Sequence, residues 1–555
     1  MAPDDVDPRS DRAAHRDGAS RIDRADARSL RSGFLRAAER HASRVALVAR
    51  DDAVSYGELA SDARRIAHAI VDRLGRAPAR VGVFAHRSRT GYTGTLAALF
   101  AGAAFVPLNR TFPVERTRRM AALAELDAIV VDAASAPQLG DVLAGVAGRA
   151  PLLVFPDAGS DLAAPEGAPR VAADELARAG ELRDLPPVVP TDVAYLLFTS
   201  GTTGTPKGVP VTHANALHFL DVMSARYALG PDDRLSQTFD ATFDLSVFDQ
   251  FMAWEAGARL CAMQSLDLLA PSRFARKHEL TVWFSVPSVP ALMRRKGLLA
   301  PDAFPTLRWS LFCGEPLPRE TAEAWQAAAP ASTLENLYGP TELTIACFVH
   351  RWDAGASPAL CANGVVPIGR PYPGLGAVVL GEGDAPVADG EDGELCVCGP
   401  QTVPGYWRDA AKTAERFVEL PFAPGVRFYR TGDRVRRLAN GEYVHLGRVD
   451  HQVKVLGHRV ELGEIEAVLR SAAGVVDAVA VGWPVAHGSA DGIVAFVTAS
   501  ERGVDADALV AHARTALPEY MVPGRVVAVD AMPLNANGKI DRAALVARLD
   551  PGAGA

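Results

Sequence analysis

Along the chain, apolar runs of four or five residues alternate with longer stretches in which apolar positions recur at helical spacing. Arg80-Val81-Gly82-Val83-Phe84 reads as a buried strand. Ala128-Ile129-Val130-Val131 and Leu152-Leu153-Val154-Phe155 continue the strand series. Ser55-Tyr56-Gly57-Glu58 has the spacing of a capping box and predicts a helix running to about Leu74. Residues 95–107, rich in Ala, Gly, Leu and Phe, predict a tightly packed core helix; the run is far shorter than the roughly 20 residues a bilayer needs. Alternation of this kind favours an α/β body with largely parallel sheets. Pro-rich segments at 186–190 and 367–373 read as connectors. After Asp450 the pattern changes to a helix over 461–469, strands over 475–481 and 493–497, a helix near 505–517 and a strand near 526–529. That is enough for a separate small α+β domain of about 100 residues.

The length of 555 residues implies several compact units. The formal net charge of -8 argues against a general affinity for nucleic acid or an anionic membrane, so any anionic ligand must be met by local chemistry. Six cysteines are too few for a disulfide framework, and Cys396-Val397-Cys398 lacks the neighbours a zinc site needs. Thiols in a reducing, cytoplasmic compartment are expected. The first 30 residues mix Asp, Arg, Ser and Ala without an apolar core, which excludes a secretory signal and predicts a flexible tail.

The most informative segment joins an apolar strand, Tyr195-Leu196-Leu197-Phe198, to Thr199-Ser200-Gly201-Thr202-Thr203-Gly204-Thr205-Pro206-Lys207-Gly208. Hydroxyls, glycine-freed N–H groups and one cation are what a polyphosphate needs. Yet Pro206 and Gly208 break the Walker pattern, which disfavours a P-loop NTPase. Further along come Asn336-Leu337-Tyr338-Gly339-Pro340-Thr341-Glu342, Gly393-Glu394-Leu395, Tyr429-Arg430-Thr431-Gly432-Asp433, Gly447-Arg448-Val449-Asp450-His451-Gln452-Val453-Lys454 and Asn535-Ala536-Asn537-Gly538-Lys539. In this order and spacing the set resembles the adenylate-forming superfamily over roughly residues 33–548, most closely the amino-acid adenylation domains of nonribosomal peptide synthetases and free-standing D-alanine ligases for carrier proteins.

That resemblance implies an N-terminal AMP-binding domain over 31–449, with stacked mixed sheets, flanking helices and a small β subdomain. A mobile C-terminal α+β domain over 450–548 would follow, hinged at Asp450. The implied reaction joins a carboxylate to the α-phosphate of ATP, releases pyrophosphate, and passes the acyl group to the phosphopantetheine thiol of a separate carrier protein. By the same resemblance Lys539 would bridge the two reacting anions. Thr199, Ser200, Thr202, Thr203 and Lys207 would hold the β- and γ-phosphates, Thr341 the α-phosphate and Glu342 a Mg²⁺ ion. Tyr338 would stack on adenine beside Asn336, Gly314 and Glu315, while Asp433 and Arg448 would serve the ribose.

Asp244, in Phe243-Asp244-Leu245-Ser246-Val247-Phe248, matches the aspartate that amino-acid-activating members set against the α-ammonium group. A near repeat at Phe239-Asp240-Ala241-Thr242 leaves a second register open. The side-chain pocket would be lined by Leu245, Phe248, Ser285, Leu311, Cys313, Leu337, Ile345 and Ala346, which suits a small or medium aliphatic amino acid. The chain has no carrier element after Lys539 and is expected to act in trans as a monomer. Leu456 stands where many relatives carry Arg, a departure from the family pattern in the segment implied to dock the pantetheine arm. An acid:CoA ligase of the same superfamily, or a non-catalytic nucleotide-binding protein of the same fold, is the alternative.

Overall fold

The computed structural model describes residues 28–50, 52–146, 148–159, 165, 167–201, 206–264, 266–449, 452–500, 503–534 and 540–549. Thr202, Thr203, Asp450 and Lys539 lie outside these described residues.

The capping box forms as read: Ser55 accepts from the Glu58 N–H and Glu58 reaches back to the Ser55 N–H, opening the helix Tyr56–Leu74. The run at 95–107 departs from expectation. The helix Arg89–Phe100 ends there, Gly102 takes φ +78, and the chain enters the strand Ala104–Leu108. Phe105-Val106-Pro107 prefers extended backbone, and proline in a helix interior would clash with the preceding turn.

Among the described residues, a seven-stranded sheet runs in space through Arg170–Val171, Leu152–Val154, Ala128–Val131, Arg80–Phe84, Ala104–Leu108, Val193–Thr199 and Lys207–Thr212. All its pairs are parallel except the last. That closing hairpin presents the hydroxyl-rich loop at its tip. A nine-stranded sheet has a parallel centre of Val45–Ala49, Arg259–Ala262, Arg234–Gln237, Val282–Ser285, Trp309–Phe312 and Thr333–Tyr338. The last two strands run out at their C-terminal ends into Cys313-Gly314-Glu315 and Gly339-Pro340-Thr341-Glu342, the edge where open α/β sheets bind ligands. One hydrophobic core joins Tyr195 and Leu337 of the two sheets with Phe248 and Trp254 of the helix Leu245–Ala256. An antiparallel five-stranded sheet built around Ala423–Arg437 forms the β subdomain.

From Gln452 onward the chain builds cores of its own. Along Val475–Gly482 the side chains alternate: Ala478 and Ala480 pack with the helices Leu462–Arg470 and Ala506–Ala516, whereas Val479 and Val481 pack with Arg542–Ala547. The described residues begin at Arg28. Its guanidinium pairs with Asp221 and Glu255, and Ser29 and Leu30 are buried, so the last three residues of the expected tail are packed. No helix of the described residues is long and apolar enough to cross a membrane. The six cysteines are free thiols.

Candidate active site

Three cavities meet where the two large sheets and the small domain converge. The first, of about 90 Å³, is lined by Thr199, Ser200, Asp244, Leu245, Cys313, Gly339 and Thr341 of the large domain and by Lys454, Gly457 and Arg459 of the small one. It therefore places Thr199 and Ser200, at the start of the hydroxyl-rich loop, and the Asp244 carboxylate around one space. Of the pocket residues read from the sequence, Asp244, Leu245 and Cys313 line it. Phe248, Ser285, Leu311, Leu337, Ile345 and Ala346 are fully buried, with Leu337 on the neighbouring cavity.

Asp244 ends the turn before the helix Leu245–Ala256 without capping it, and accepts the Ile345 N–H at 3.2 Å. Burial raises its pKa from 3.8 to about 7, against the opposing hydrogen bonds of Thr341 and Ile345. No cationic side chain is paired with it among the described ion pairs, so a bound cation would complete it. Asp240 is the contrast. Its carboxylate takes the Asn109 amide at 2.8 Å, the Thr242 hydroxyl at 2.6 Å and the His86 ring at 3.1 Å; burial would raise its pKa, but His86 and Thr242 outweigh that and bring it to about 2. Of the two registers, Asp244 is the carboxylate left for a ligand.

Glycine is required at position 339: a Cβ there would lie 2.5 Å from the Ala346 Cα, because the strand end and the segment after Glu342 pass backbone against backbone.

The second cavity, of about 210 Å³, is lined by Gly314, Glu315, Asn336, Tyr338, Asp433, His445 and Arg448 together with Lys454. Asp433 accepts from the Tyr338 hydroxyl and from Arg448 Nη1 at 2.6 Å, with His445 Nε2 at 3.4 Å. Burial opposes its ionisation, yet Arg448 and His445 hold its pKa well below the usual range. Asn336 donates to the Pro367 carbonyl at 2.9 Å and keeps an unpartnered buried Oδ1.

The small domain is pressed into this region. Lys454 Nζ donates to the Gly314 carbonyl at 2.6 Å, the Gly457 N–H donates to Glu315, and the Ser200 hydroxyl donates to the Arg459 carbonyl at 2.8 Å. Glu342, fully buried, accepts from the Tyr406 hydroxyl at 2.7 Å and from Arg459 Nη1 at 3.1 Å. Burial alone would raise its pKa; Arg459, Lys207 and Tyr406 outweigh that and bring it down to about 2. Lys207 lies 3.0 Å from Glu461, and its pKa is lowered chiefly by burial. The described neighbours of Lys539 pair across their loop, Leu534 with Ile540, and Ile540 packs on the small sheet's face opposite the helices Leu462–Arg470 and Ala506–Ala516.

A third cavity, of about 570 Å³, runs from Phe243 and Leu245 past Gly457, His458 and Leu456 toward Arg294, Arg295 and His487. It lies between the domains and leads from the first cavity to the surface, where Leu456 is exposed.

Arg116 and His445 line these cavities, and Glu461 and Glu464 of the small domain pair with Lys207 and Arg116 beside them; none of these four was singled out from the sequence. Arg116 sits among Glu115, Arg118 and Arg119 in the helix Val114–Ala124, and Glu461 and Glu464 open a helix, so each reads as ordinary surface charge.

Comparison with known proteins places the arrangement. The model of the AMP-binding enzyme family matches residues 34–407, and that of the AMP-binding enzyme C-terminal domain matches 464–539. An L-proline--[L-prolyl-carrier protein] ligase of Streptomyces coelicolor is 36% identical over 90% of this chain and 93% of its own length. A probable non-canonical nonribosomal peptide synthetase of Salinispora arenicola is 36% identical over 88% of this chain, which spans only 6% of that protein. Among solved structures, the Vibrio cholerae adenylation domain AlmE in complex with glycyl-adenosine-5'-phosphate superposes with a TM-score of 0.83 at 30% identity, covering 94% of this chain and 97% of that one.

Proposed function

The chain belongs to the AMP-binding enzyme family, and from that premise we propose that it activates a small or medium aliphatic amino acid with ATP and loads it onto the phosphopantetheine thiol of a separate carrier protein. The observation that carries the reading is the single cavity in which the buried Asp244 carboxylate, the Thr199 and Ser200 end of the loop and Thr341 face one another. An α-ammonium at Asp244 points the substrate carboxylate toward the hydroxyls that receive phosphate. The side-chain end, formed by Leu245 and Cys313 with Phe248, Leu311, Ile345 and Ala346 packed around them, carries no charge. The named activities of the prolyl-carrier protein ligase and the bound aminoacyl adenylate of AlmE support the same assignment.

Tyr338, with the glycines and Asn336 beside it, walls a slot for adenine, and Asp433 is kept ionised to accept ribose hydroxyls once Tyr338 and Arg448 share it. Lys207 offers its ammonium to the phosphates. Mg²⁺ fits Glu342: this ionised, buried carboxylate already takes a cation here, the Arg459 guanidinium, and one carboxylate plus phosphate oxygens is an ordinary magnesium donor set. When bound, the ion offsets phosphate charge.

The orientation of the small domain corresponds to thioester formation rather than adenylation. Lys454, Gly457 and Arg459 face the site, and the cavity of about 570 Å³ is the route for the pantetheine arm. Gly457→Ala is therefore expected to cost thioester transfer at least tenfold more than adenylation. Gly457 has φ +85, and a Cβ there would sit 2.5 Å from Val286 Cγ1. Left-handed backbone alone costs a residue with a Cβ roughly 1–2 kcal/mol, and tenfold is about 1.4 kcal/mol. Single-turnover transfer from preformed aminoacyl adenylate, compared with exchange, measures the split.

The functional reading is tested by amino-acid-dependent ATP–pyrophosphate exchange across the proteinogenic L-amino acids, D-alanine and β-alanine. Exchange with an aliphatic amino acid, falling at least 100-fold in Lys539→Ala, is the expected result. Exchange with a simple carboxylic acid that survives Asp244→Ala would move the protein to the acid-ligase branch.

A further inference from the structure

Two carboxylates of the small domain are spent in an unusual place. Glu461 and Glu464 flank the N-terminus of the helix Leu462–Arg470, where acidic side chains ordinarily cap their own helix, yet the residue at the N-cap makes no side-chain cap. Both reach across to the large domain instead. Glu461 Oε1 lies 3.0 Å from Lys207 Nζ, with side chains 5% and 9% exposed, and the Gln452 amide donates to the same oxygen. Glu464 Oε1 lies 2.6 Å from Arg116 Nη1, with both side chains almost fully buried, and its Oε2 accepts the Gly201 N–H at 3.3 Å.

An ammonium, a guanidinium and a loop N–H are donors suited to a phosphate, and here each is met by a carboxylate oxygen. The third contact has the opposite sense: Arg459 supplies a cation to Glu342. The large domain contributes Arg116, Lys207 and Glu342 to the seam, and the small domain contributes Glu464, Glu461 and Arg459, so the buried charges cancel pair by pair.

We infer that Glu461 and Glu464 are built-in substitutes for the pyrophosphate product, occupying its donors at Lys207, Gly201 and Arg116 whenever the small domain adopts this orientation. Bound pyrophosphate and this orientation then exclude each other, since the anion would face two buried carboxylates with their cations taken. Release of pyrophosphate is what frees the donors, and the same carboxylates keep the loop charge-balanced while the thiol reacts. The inference rests on the proposed role of Lys207 in holding phosphates. Glu461 and Glu464 are positioning residues; neither touches the reacting atoms.

The test uses the full-length chain carrying a fluorophore pair across the two domains and saturated with an aminoacyl-sulfamoyl-adenosine, which cannot react with pyrophosphate. Titrating inorganic pyrophosphate with Mg²⁺ is expected to depopulate the present orientation in the wild type. The double variant Glu461→Gln with Glu464→Gln is expected to populate it at least tenfold less before any pyrophosphate is added, and to slow thioester transfer at least tenfold while retaining exchange. A wild-type distance distribution that ignores pyrophosphate, at concentrations supporting exchange in the same preparation, overturns the inference whether or not the variant folds. A variant that transfers at the wild-type rate overturns it as well. Absence of exchange with every amino acid would instead refute the functional reading on which the inference rests.

Discussion

Asp244→Asn is expected to lower the kcat/KM of amino-acid-dependent exchange by about three orders of magnitude. An ammonium about 4 Å from a carboxylate gains roughly 4 kcal/mol at an effective dielectric near 20, and each 1.4 kcal/mol is tenfold. The aspartate is 6% exposed, so little solvent screening softens the loss. In the wild type the same residue sets a pH dependence. Its pKa of about 7 in the free protein means that the ionised, ammonium-binding form is lost below neutrality, so kcat/KM falls tenfold per unit on the acid side of about 7. The variant loses that limb. Stability moves the other way: a carboxyl whose pKa is raised from 3.8 to about 7 by burial binds more protons folded than unfolded. Ionising it costs stability progressively between those values and fully above them. The unliganded Asp244→Asn protein should therefore melt higher than wild type at pH 8, with no difference near pH 4. Equal kcat/KM in variant and wild type would remove Asp244 from substrate binding.

Glu342→Gln is the second large effect. Exchange is expected to fall at least 100-fold with an increased Mg²⁺ requirement, because the fully buried carboxylate is the large domain's anionic group proposed to hold the ion. The substitution also leaves the Arg459 guanidinium facing a neutral amide. Removing one partner of a buried pair costs about 3 kcal/mol, and that cost falls on domain docking, since Glu342 and Arg459 lie on opposite domains whose cores pack separately. The present orientation should lose more than 100-fold in population, readable by interdomain fluorescence transfer. With its pKa lowered from 4.5 to about 2, Glu342 supports docking at full strength above about pH 4.5, and the support fades as pH falls through about 2. Docking that weakens near neutrality would place the controlling titration elsewhere.

Both effects turn on charges whose meaning differs between sequence and structure. The helix Tyr56–Leu74, the strands Arg80–Phe84 and Ala128–Val131, and the order of elements after Gln452 were legible because hydrophobic period and capping chemistry act locally. The stretch at 95–107 was misread for the converse reason: an Ala- and Gly-rich run carries little periodicity, and the turn at Gly102 is set by packing against the next strand.

The candidate site divides along the same line. Residue type and spacing after a strand end name the hydroxyl loop, whereas the Tyr338 to Glu342 segment, Asp433 and Asp244 were legible through the family resemblance of their motifs. Which of Asp240 and Asp244 is left for a ligand depended on His86 and Asn109, far away in the chain, reaching one and not the other. Likewise Arg116, Glu461 and Glu464 are ordinary helix charges in the sequence, and only the docking of two domains brings Glu461 and Glu464 within hydrogen-bonding distance of Lys207, Arg116 and Gly201. A local pattern specifies what chemistry a residue can offer, whereas burial and long-range partners, which exist only after folding, decide which charge it keeps and what it meets.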